Sequence, residues 1–221
     1  MNAKVWLLVW SSTLQSLSMV FFSTLFSLIL GLPLGILLFI TGEEEQGGII
    51  PMPLLNSVIS RIVNVLRSFP FIILMILLFP LSRLLIGTSI GTAATIVPLS
   101  IAAAPFVARV IETALKEVDP GVVQAARAMG STNFQIVWKV LIPEAMPSLV
   151  SGVALTIISL IGYSAMAGAI GGGGLGDLAI RYGYQRFRGD IMLVAVIIIL
   201  VLVEIVQIIG NRISARLLAR R

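Results

Sequence analysis

Long stretches without a charged residue are the feature that most constrains this chain. Between Lys4 and Glu43 there are 38 consecutive uncharged residues, most of them apolar. A helix needs about 20 apolar residues to cross the hydrocarbon core of a bilayer, so this stretch exceeds one crossing. Only 11% of the 221 residues are charged, and the mean hydropathy is +1.07. A soluble domain carries about 25% charged residues. The composition therefore excludes a soluble globular domain, a disordered chain and an ordinary nucleic-acid binder.

Five apolar stretches of sufficient length follow one another, and we predict an all-α polytopic membrane protein with five transmembrane helices. The spans lie at about residues 14–40, 62–81, 84–108, 149–170 and 191–209. Residues 6–12 mix two tryptophans with serines, which suits a segment at the membrane interface. The sequence Gly31-Leu-Pro-Leu-Gly35 predicts a bend in the first span. No clear internal repeat is present, so we expect a single domain over residues 1–221.

The distribution of lysines and arginines predicts the orientation in the membrane. An odd number of spans places the two termini on opposite sides. Nine basic residues follow spans one, three and five, and five lie on the other side, so the positive-inside rule places the N-terminus outside and the C-terminus in the cytoplasm. The nine are Arg61, Arg109, Lys116, Arg127, Lys139, Arg212, Arg216, Arg220 and Arg221, and the five are Lys4, Arg83, Arg181, Arg186 and Arg188. The acidic turn at residues 42–48 then lies inside, where acidic residues weigh little in this rule.

The chain contains no cysteine and no histidine. Disulfides, thiolate nucleophiles, most zinc sites and histidine acid–base chemistry are therefore excluded. Gly171-Gly-Gly-Gly-Leu-Gly176 matches a dinucleotide-binding pattern, but it follows a span and not a strand. Gly174-Leu-Gly-Asp177 lacks the second intramembrane aspartate that an aspartyl protease needs. We predict no catalytic residue, cofactor or metal site, and we expect the glycines to form irregular backbone at the outer membrane face.

One polar segment, residues 109–144, separates spans three and four and has the pattern of folded structure. Asp119-Pro120 predicts a helix N-cap followed by proline at the first helical position, and Gly130 suits the residue after a helix end. Thr132-Asn-Phe-Gln135 is a capping box, which predicts a second short helix, and Pro143 is expected to end it. We predict two short helices, at about a right angle, on the cytoplasmic surface. From the pattern alone, an amphipathic interfacial loop is an equally good interpretation.

The polar segment resembles the EAA signature of ABC importer permeases, which reads Glu-Ala-Ala, three residues, Gly, nine residues and Ile-x-Leu-Pro. Here Gln124-Ala-Ala-Arg-Ala-Met-Gly130 is followed by nine residues and Val140-Leu-Ile-Pro143, with no gap. The amide at position 124 replaces the motif carboxylate and can still donate or accept a hydrogen bond. In this family the loop is a coupling helix that sits in a groove of the cytoplasmic ATPase. The resemblance implies a coupling loop at residues 119–143, with coupling roles for Gln124, Ala125, Ala126, Gly130, Val140, Ile142 and Pro143.

Three further segments, residues 65–74, 97–106 and 162–176, resemble the methionine-uptake permeases of this family. The resemblance implies a multi-pass protein of the cell membrane that forms a homodimer. It also implies two ATPase subunits as partners, which would bind ATP and magnesium, so that this chain itself is no enzyme. An extracytoplasmic binding protein would deliver methionine. Lipid is the remaining partner, and no nucleic acid is expected.

Candidate pathway residues come from spans two and four. Tyr163, Ser164 and Met166 lie in a span rich in glycine and alanine, where helices approach closely. They either pack the span or line a pathway at the dimer axis and form its gate. Arg67 has the same two interpretations, structural or pathway-lining, because an intramembrane charge is a functional hypothesis by default. Glu204, in span five, is expected to face a neighbouring span or subunit.

These observations predict the transmembrane permease subunit of an ATP-driven methionine importer, which couples to its ATPases and does no catalysis itself. One alternative is a permease for another amino acid, which would prefer a polar substrate in uptake assays. A second alternative is an ion-driven secondary transporter. That class predicts paired intramembrane charges and inverted repeats, which the sequence lacks, and uptake without ATP.

Overall fold

The structure, a computed structural model, describes residues 3–43 and 48–219. These residues contain ten α-helices and no strand. Four residues of the predicted acidic turn, 44–47, lie outside the described residues, as do Arg220 and Arg221. The helices are α1 (Ala3–Ile40), α2 (Pro53–Ser68), α3 (Phe71–Leu77), α4 (Phe79–Ile86), α5 (Thr92–Lys116), α6 (Pro120–Ala128), α7 (Asn133–Gln135), α8 (Ile142–Gly168), α9 (Gly174–Asp177) and α10 (Gly189–Leu218). The π-helical segments Ile136–Leu141 and Leu178–Tyr184 follow α7 and α9.

Four helical stretches of the described chain are long and apolar enough to cross a membrane. They are α1, α5, the run Asn133–Gly168 and α10, and α2 with α3 passes the same test as a bent pair. The prediction of an all-α polytopic membrane protein is confirmed, with four candidate spans or five if the bent pair counts as one. The predicted second span at 62–81 is not one helix. The chain bends by 103° between α2 and α3, because Pro70 has no N–H to donate and disfavours a helical conformation at Phe69.

Several predicted span limits differ from the helices. The helix α1 begins at Ala3 and includes residues 6–12, which were expected at the interface. The predicted third span begins too early, since Gly87, at φ +86°, ends α4 and α5 starts at Thr92. At the other end of the chain, α10 continues past residue 209 to Leu218. Apolarity marks the part of a helix that suits lipid, whereas the helix itself continues into polar sequence.

The glycines around Pro33 provide close packing, and α1 continues through this segment without ending. A Cβ atom added at Gly31 would lie 2.8 Å from the carbonyl oxygen of Ala104, and one at Gly35 would lie 2.6 Å from that of Ala108. The backbones of α1 and α5 therefore touch at two positions one turn apart. These glycines therefore also provide a close contact between helices, as is common in membranes, and the bend stays a prediction.

The described residues group into two compact units. The described parts of Met1–Ser27, Phe69–Ala103 and Leu155–Ile208 form the first, and those of Leu28–Ser68, Ala104–Ala154 and Ile209–Arg221 form the second. The first unit has its core around Met19, Leu99 and Leu160, with a second cluster around Leu175, Leu178 and Ile191. The core of the second unit surrounds Leu115, Ile136 and Leu141. A single domain over residues 1–221 stays a prediction.

Large aliphatic side chains also cover much of the outside of the long helices. On α10, Leu193 is 64% exposed, Ile197 56% and Leu200 62%. A soluble protein rarely leaves a continuous apolar surface of this kind uncovered. Such a surface matches the acyl chains of a bilayer, which agrees with the composition.

Candidate functional site

The predicted coupling loop, residues 119–143, lies entirely in the second unit. Asp119 is the N-cap of α6, and its Oδ1 accepts a hydrogen bond of 2.7 Å from the amide of Gly121. Pro120 occupies the first helical position. Gly130 follows the helix with φ +82°, a conformation that favours glycine. The predicted start and end of this helix are confirmed.

The second helix of the loop begins as predicted and ends elsewhere. The amide of Gln135 donates to Oγ1 of Thr132 at 3.3 Å, and the amide of Thr132 donates to Oε1 of Gln135 at 2.9 Å, which completes the capping box. The expected stop at Pro143 is wrong. The chain passes through the π-helical segment Ile136–Leu141 directly into α8. Pro143 stands in the first turn of α8, where a missing N–H is tolerated.

The buried side of the loop joins it to the rest of the second unit. Ala126 is 3% exposed and belongs to the same core cluster as Ile136 and Leu141, and Val140 and Ile142 pack against that cluster. The predicted coupling residues Ala126, Val140 and Ile142 therefore serve the internal packing of the loop. Outside this core, Nη2 of Arg127 donates a hydrogen bond of 3.0 Å to the carbonyl of Ile49. The loop is thus attached to its unit by apolar packing and by one polar contact.

The other predicted coupling residues, Gln124, Ala125, Gly130 and Pro143, are exposed. Large apolar side chains accompany them, and the sequence analysis did not name these as site residues: Val122 (39% exposed), Met129 (80%), Phe134 (72%) and Trp138 (48%). The rings of Phe134 and Trp138 lie 6.1 Å apart. We call these eight residues the exposed face of the loop. The sequence shows that these four residues are apolar and lie on or near short helices. It does not show that their side chains are exposed.

A buried ionic cluster at the end of α5 precedes the loop and was not predicted from the sequence. Glu112 is 5% exposed, and its two oxygens bind Nη1 of Arg109 at 2.6 Å and Nζ of Lys116 at 2.9 Å. Nη2 of Arg109 also donates to Oδ1 of Asn64 at 3.0 Å and to the carbonyl of Ser60 at 3.2 Å, both on α2. The spacing of three and four residues around Glu112 was an available signal, because such neighbours share a helix face.

The first unit contains the three candidate gate residues, in three different environments. Tyr163 is half-buried and its ring stacks on that of Phe71, with centroids 4.5 Å apart and planes at 11°. Ser164 is 2% exposed, and its hydroxyl donates to the carbonyl of Ile161 at 2.8 Å. Met166 is 48% exposed. Within one chain these residues do not converge on a common site, and Arg67 is an exposed residue of the other unit.

The first unit also holds an apolar cavity of about 170 Å³ between α1, α8 and α10. Aliphatic side chains dominate its lining, among them Leu17, Val20 and Leu202. Its two serines already bond to backbone, because Ser16 accepts from the amide of Leu175 at 2.8 Å and Ser164 donates to Ile161. The cavity is therefore unsuited to a zwitterionic ligand, whose charges would need polar partners.

The glycine segment before α9 is irregular, as predicted. Gly171, Gly173 and Gly174 all have positive φ, at +89°, +79° and +77°. The amide of Gly174 donates to Oε1 of Gln15 at 2.9 Å, beside the bond from Leu175 to Ser16. Side chains of α1 thus satisfy the first amides of α9. In the described ranges, no group of three or more acidic residues is placed to hold a metal ion.

Known proteins with similar sequences are transport permeases. A probable D-methionine transport system permease protein of Pasteurella multocida is 49% identical over 216 residues, which cover 98% of each chain. The methionine import system permease protein of Bacillus subtilis is 49% identical over 178 residues, covering 80% of this chain and 79% of that protein.

A solved structure is similar over the same length. A chain of the MetNI methionine ABC transporter, crystallised in inward facing conformations, is 44% identical and superposes with a TM-score of 0.95. It covers 98% of this chain and 99% of its own. The family model described as "Binding-protein-dependent transport system inner membrane component" matches residues 31–219. Since that match spans most of the sequence, the chain belongs to the family of inner membrane components of binding-protein-dependent transport systems.

Proposed function

We propose that this chain is the transmembrane permease subunit of an ATP-driven importer of methionine and forms its translocation pathway. The observation that carries the proposal is 49% identity to a D-methionine permease over 98% of both chains. The structural similarity to a methionine ABC transporter supports the same substrate. Another amino acid remains the alternative within the family.

The chain would work as a homodimer with two ATPase subunits, which would bind ATP and Mg²⁺ and carry out all the hydrolysis. The sequence has no Walker A motif of its own. The predicted orientation, with the N-terminus outside and the C-terminus in the cytoplasm, places the coupling loop on the side of the ATPases. In this arrangement the two compact units act as one membrane domain, with α2 and α3 together providing the fifth crossing.

The exposed face of the loop is the proposed contact with the ATPase. Met129, Phe134 and Trp138 offer apolar area and Gln124 offers an amide, a combination typical of interface residues. The buried side has the complementary task. Because Ala126, Val140 and Ile142 pack in the core of the second unit, the loop would move with that unit when the ATPases close.

The segment between α9 and α10 is the proposed contact with the binding protein. It contains three of the five basic residues assigned to the outside, Arg181, Arg186 and Arg188, within eight residues. Arg181 pairs with Asp177 at 2.6 Å and Arg188 pairs with Asp190 at 2.7 Å. Two of the three positive charges are therefore compensated.

Arg186, the third of these arginines, has no acidic partner among the described residues and lies 4.6 Å from the ring centroid of Tyr182. Phe187 beside it is 91% exposed and has φ +55°, a conformation that is unfavourable for a bulky side chain. An uncompensated arginine next to an exposed aromatic ring is a typical centre of a protein interface. Its charge favours an acidic patch on the binding protein.

Among the candidate gate residues, Met166 is the one whose side chain is available to a partner copy. Ser164 is committed to its own helix and Tyr163 to Phe71. We therefore assign the gate to Met166, where a flexible thioether lets a similar side chain pass without tight binding. Tyr163 would support Met166 on the side away from the pathway.

The test is uptake of radiolabelled methionine into vesicles that contain the whole complex and the binding protein. Uptake that requires ATP, and that unlabelled methionine suppresses better than polar amino acids do, is the expected result. Uptake at the same rate without nucleotide would favour the ion-driven alternative. Suppression by a polar amino acid at a lower concentration than unlabelled methionine requires would favour the alternative of a permease for another amino acid.

A further inference from the structure

The helix α2 has three different faces, each made of residues three or four apart. The first face is packed against its own unit, with Val63 1% exposed in a cluster with Leu38 and Ala108, and with Ile59 against that cluster. This face holds α2 onto α1 and α5. The remaining two faces are exposed, and they differ in chemistry.

The second face of α2 is apolar. Its members are Leu54 (81% exposed), Val58 (49%), Ile62 (55%) and Val65 (57%). Their spacing of four, four and three residues places them in one line along the helix. Exposed aliphatic side chains in such a line are what a helix presents to lipid.

The third face of α2 is polar, and we call it the polar stripe. Ser57, Arg61, Asn64 and Ser68 are all exposed, and their spacing of four, three and four residues also forms one line. Arg67 is exposed at its edge. From α5, Arg109 reaches Asn64 and adds a further guanidinium beside the stripe.

The cations of the stripe differ in how they are compensated. Arg109 is bound to the buried carboxylate of Glu112. Neither Arg61 nor Arg67 makes a salt bridge within the part of the chain that the structure describes. A guanidinium cannot lose its charge at any ordinary pH. Facing lipid would carry a large desolvation penalty for each guanidinium, whereas facing water carries little.

We propose that the polar stripe of α2 is a wall of the water-filled translocation pathway, and that Arg61 and Arg67 attract the carboxylate of the passing amino acid. This inference rests on the proposed importer function and adds the surface along which the substrate would travel. A guanidinium recognises a carboxylate through two parallel hydrogen bonds. Because both side chains are exposed and long, the contact is transient, as transport requires.

The natural absence of cysteine makes the stripe directly testable. Single variants Ser57→Cys, Asn64→Cys and Ser68→Cys probe the polar stripe in the complete complex in vesicles. On the same helix, Val58→Cys and Val65→Cys are the controls at the heights of Ser57 and Asn64, and Ile62→Cys is a third control on the apolar face. The probe is a charged, membrane-impermeant methanethiosulfonate, which reacts with the thiolate and therefore only where water reaches.

We expect the three stripe cysteines to react about tenfold faster than the three control cysteines on the apolar face. Equal rates on both faces, or faster reaction on the apolar face, would overturn the inference. An unreactive stripe in a complex that still transports would do the same, because it would mean that protein covers this face.

Uptake kinetics test the role of the charges. Arg61→Gln and Arg67→Gln should each raise the KM for methionine by about tenfold, the equivalent of one charge-assisted hydrogen bond, and the corresponding lysine variants should restore part of it. An unchanged KM in both glutamine variants would contradict the carboxylate contact. Reactive stripe cysteines together with no methionine uptake would instead contradict the proposed substrate and leave the pathway wall in place. The two failures are therefore distinguishable.

Discussion

Glu112 holds Arg109 through a contact of 2.6 Å between Oε2 and Nη1, one helical turn apart on α5. The side chain of Glu112 is 7% exposed and that of Arg109 21%. Since Arg109 also bonds to Ser60 and Asn64, the carboxylate orients the group that joins α5 to α2. In chain order, the cluster follows the polar stripe of α2 and comes just before the coupling loop.

Replacing Glu112 with Gln should destabilise the protein by about 2 kcal/mol, because Arg109 would lose its buried counter-charge. Fully buried pairs lose more when one partner is removed, and the partial exposure of Arg109 reduces the effect. The unfolding midpoint of the purified complex is the measurement. Asp190→Asn removes an acid from an exposed pair and should leave the midpoint unchanged. Equal midpoints for both variants would contradict the role of Glu112.

Gly130→Val should uncouple ATP hydrolysis from uptake. A Cβ atom at this position meets nothing within 4 Å, so the penalty comes from φ +82° alone, about 1–2 kcal/mol. Relief of that strain would shift the exposed face of the loop. Gly130→Asn is the matched control, because asparagine tolerates this conformation. The measurement is methionine transported per ATP hydrolysed, and a ratio as low with Asn as with Val would show that backbone conformation is not the cause.

Gly35→Ala should weaken the contact between α1 and α5. The added methyl group would lie 2.6 Å from the carbonyl oxygen of Ala108, and overpacking of this kind costs about 1–3 kcal/mol. Gly162→Ala is the control within a membrane helix, since its Cβ meets nothing within 4 Å. It should leave stability unchanged or raise it slightly. The measurement is thermal unfolding of the two variants in parallel. A Gly35→Ala variant as stable as Gly162→Ala would contradict the packing role.

Gln15→Ala and Ser16→Ala should each expose the start of α9. The amides of Gly174 and Leu175 would lose their acceptors, at about 1–2 kcal/mol apiece. Hydrogen exchange of residues 174–175 in the intact complex should become faster. Ser18→Ala removes a hydroxyl that bonds only within α1 and should not change exchange there. Faster exchange in all three variants would point to a general loosening of the unit.

Arg186→Glu should weaken binding of the extracytoplasmic binding protein by about tenfold or more, because it reverses the one uncompensated charge of that segment. The matched control is Arg83→Glu, the same change at an exposed arginine of α4. Affinity for the complex in nanodiscs is measured at low and high salt. The effect should shrink at high salt, and similar losses for both variants would indicate only a change in net charge.

Local signals in the sequence predicted local structure well. The N-cap at Asp119, the left-handed Gly130 and the capping box of Thr132 with Gln135 each depend on a few adjacent residues. Each is present in the structure. The apolar runs likewise predicted membrane helices, because burial in lipid needs only length and composition.

Features that depend on neighbours in space were not predicted. Pro143 was expected to end the second helix, because the sequence does not show that a π-helical segment before it continues into α8. The close contact at the glycines flanking Pro33 was not predicted, since nothing in the sequence shows that Ala104 and Ala108 lie against them. The helical spacing could have shown the pairing of Glu112 with Arg109 and Lys116, but not its burial, because that depends on elements distant in the sequence such as α2. The roles assigned to Gln124 and the other coupling residues stay predictions.

The bonds from α9 to Gln15 and Ser16 have a consequence for biosynthesis. Donor and acceptor are 159 residues apart in the chain. At about 5–20 residues per second, the first helix is made roughly 8–30 seconds before the amides that its side chains bind. During that interval the side-chain oxygens of Gln15 and Ser16 on α1 lack the backbone donors of α9. Until residue 174 has been made, the nascent chain should therefore depend on the insertion machinery. The first unit is completed only when synthesis is nearly finished.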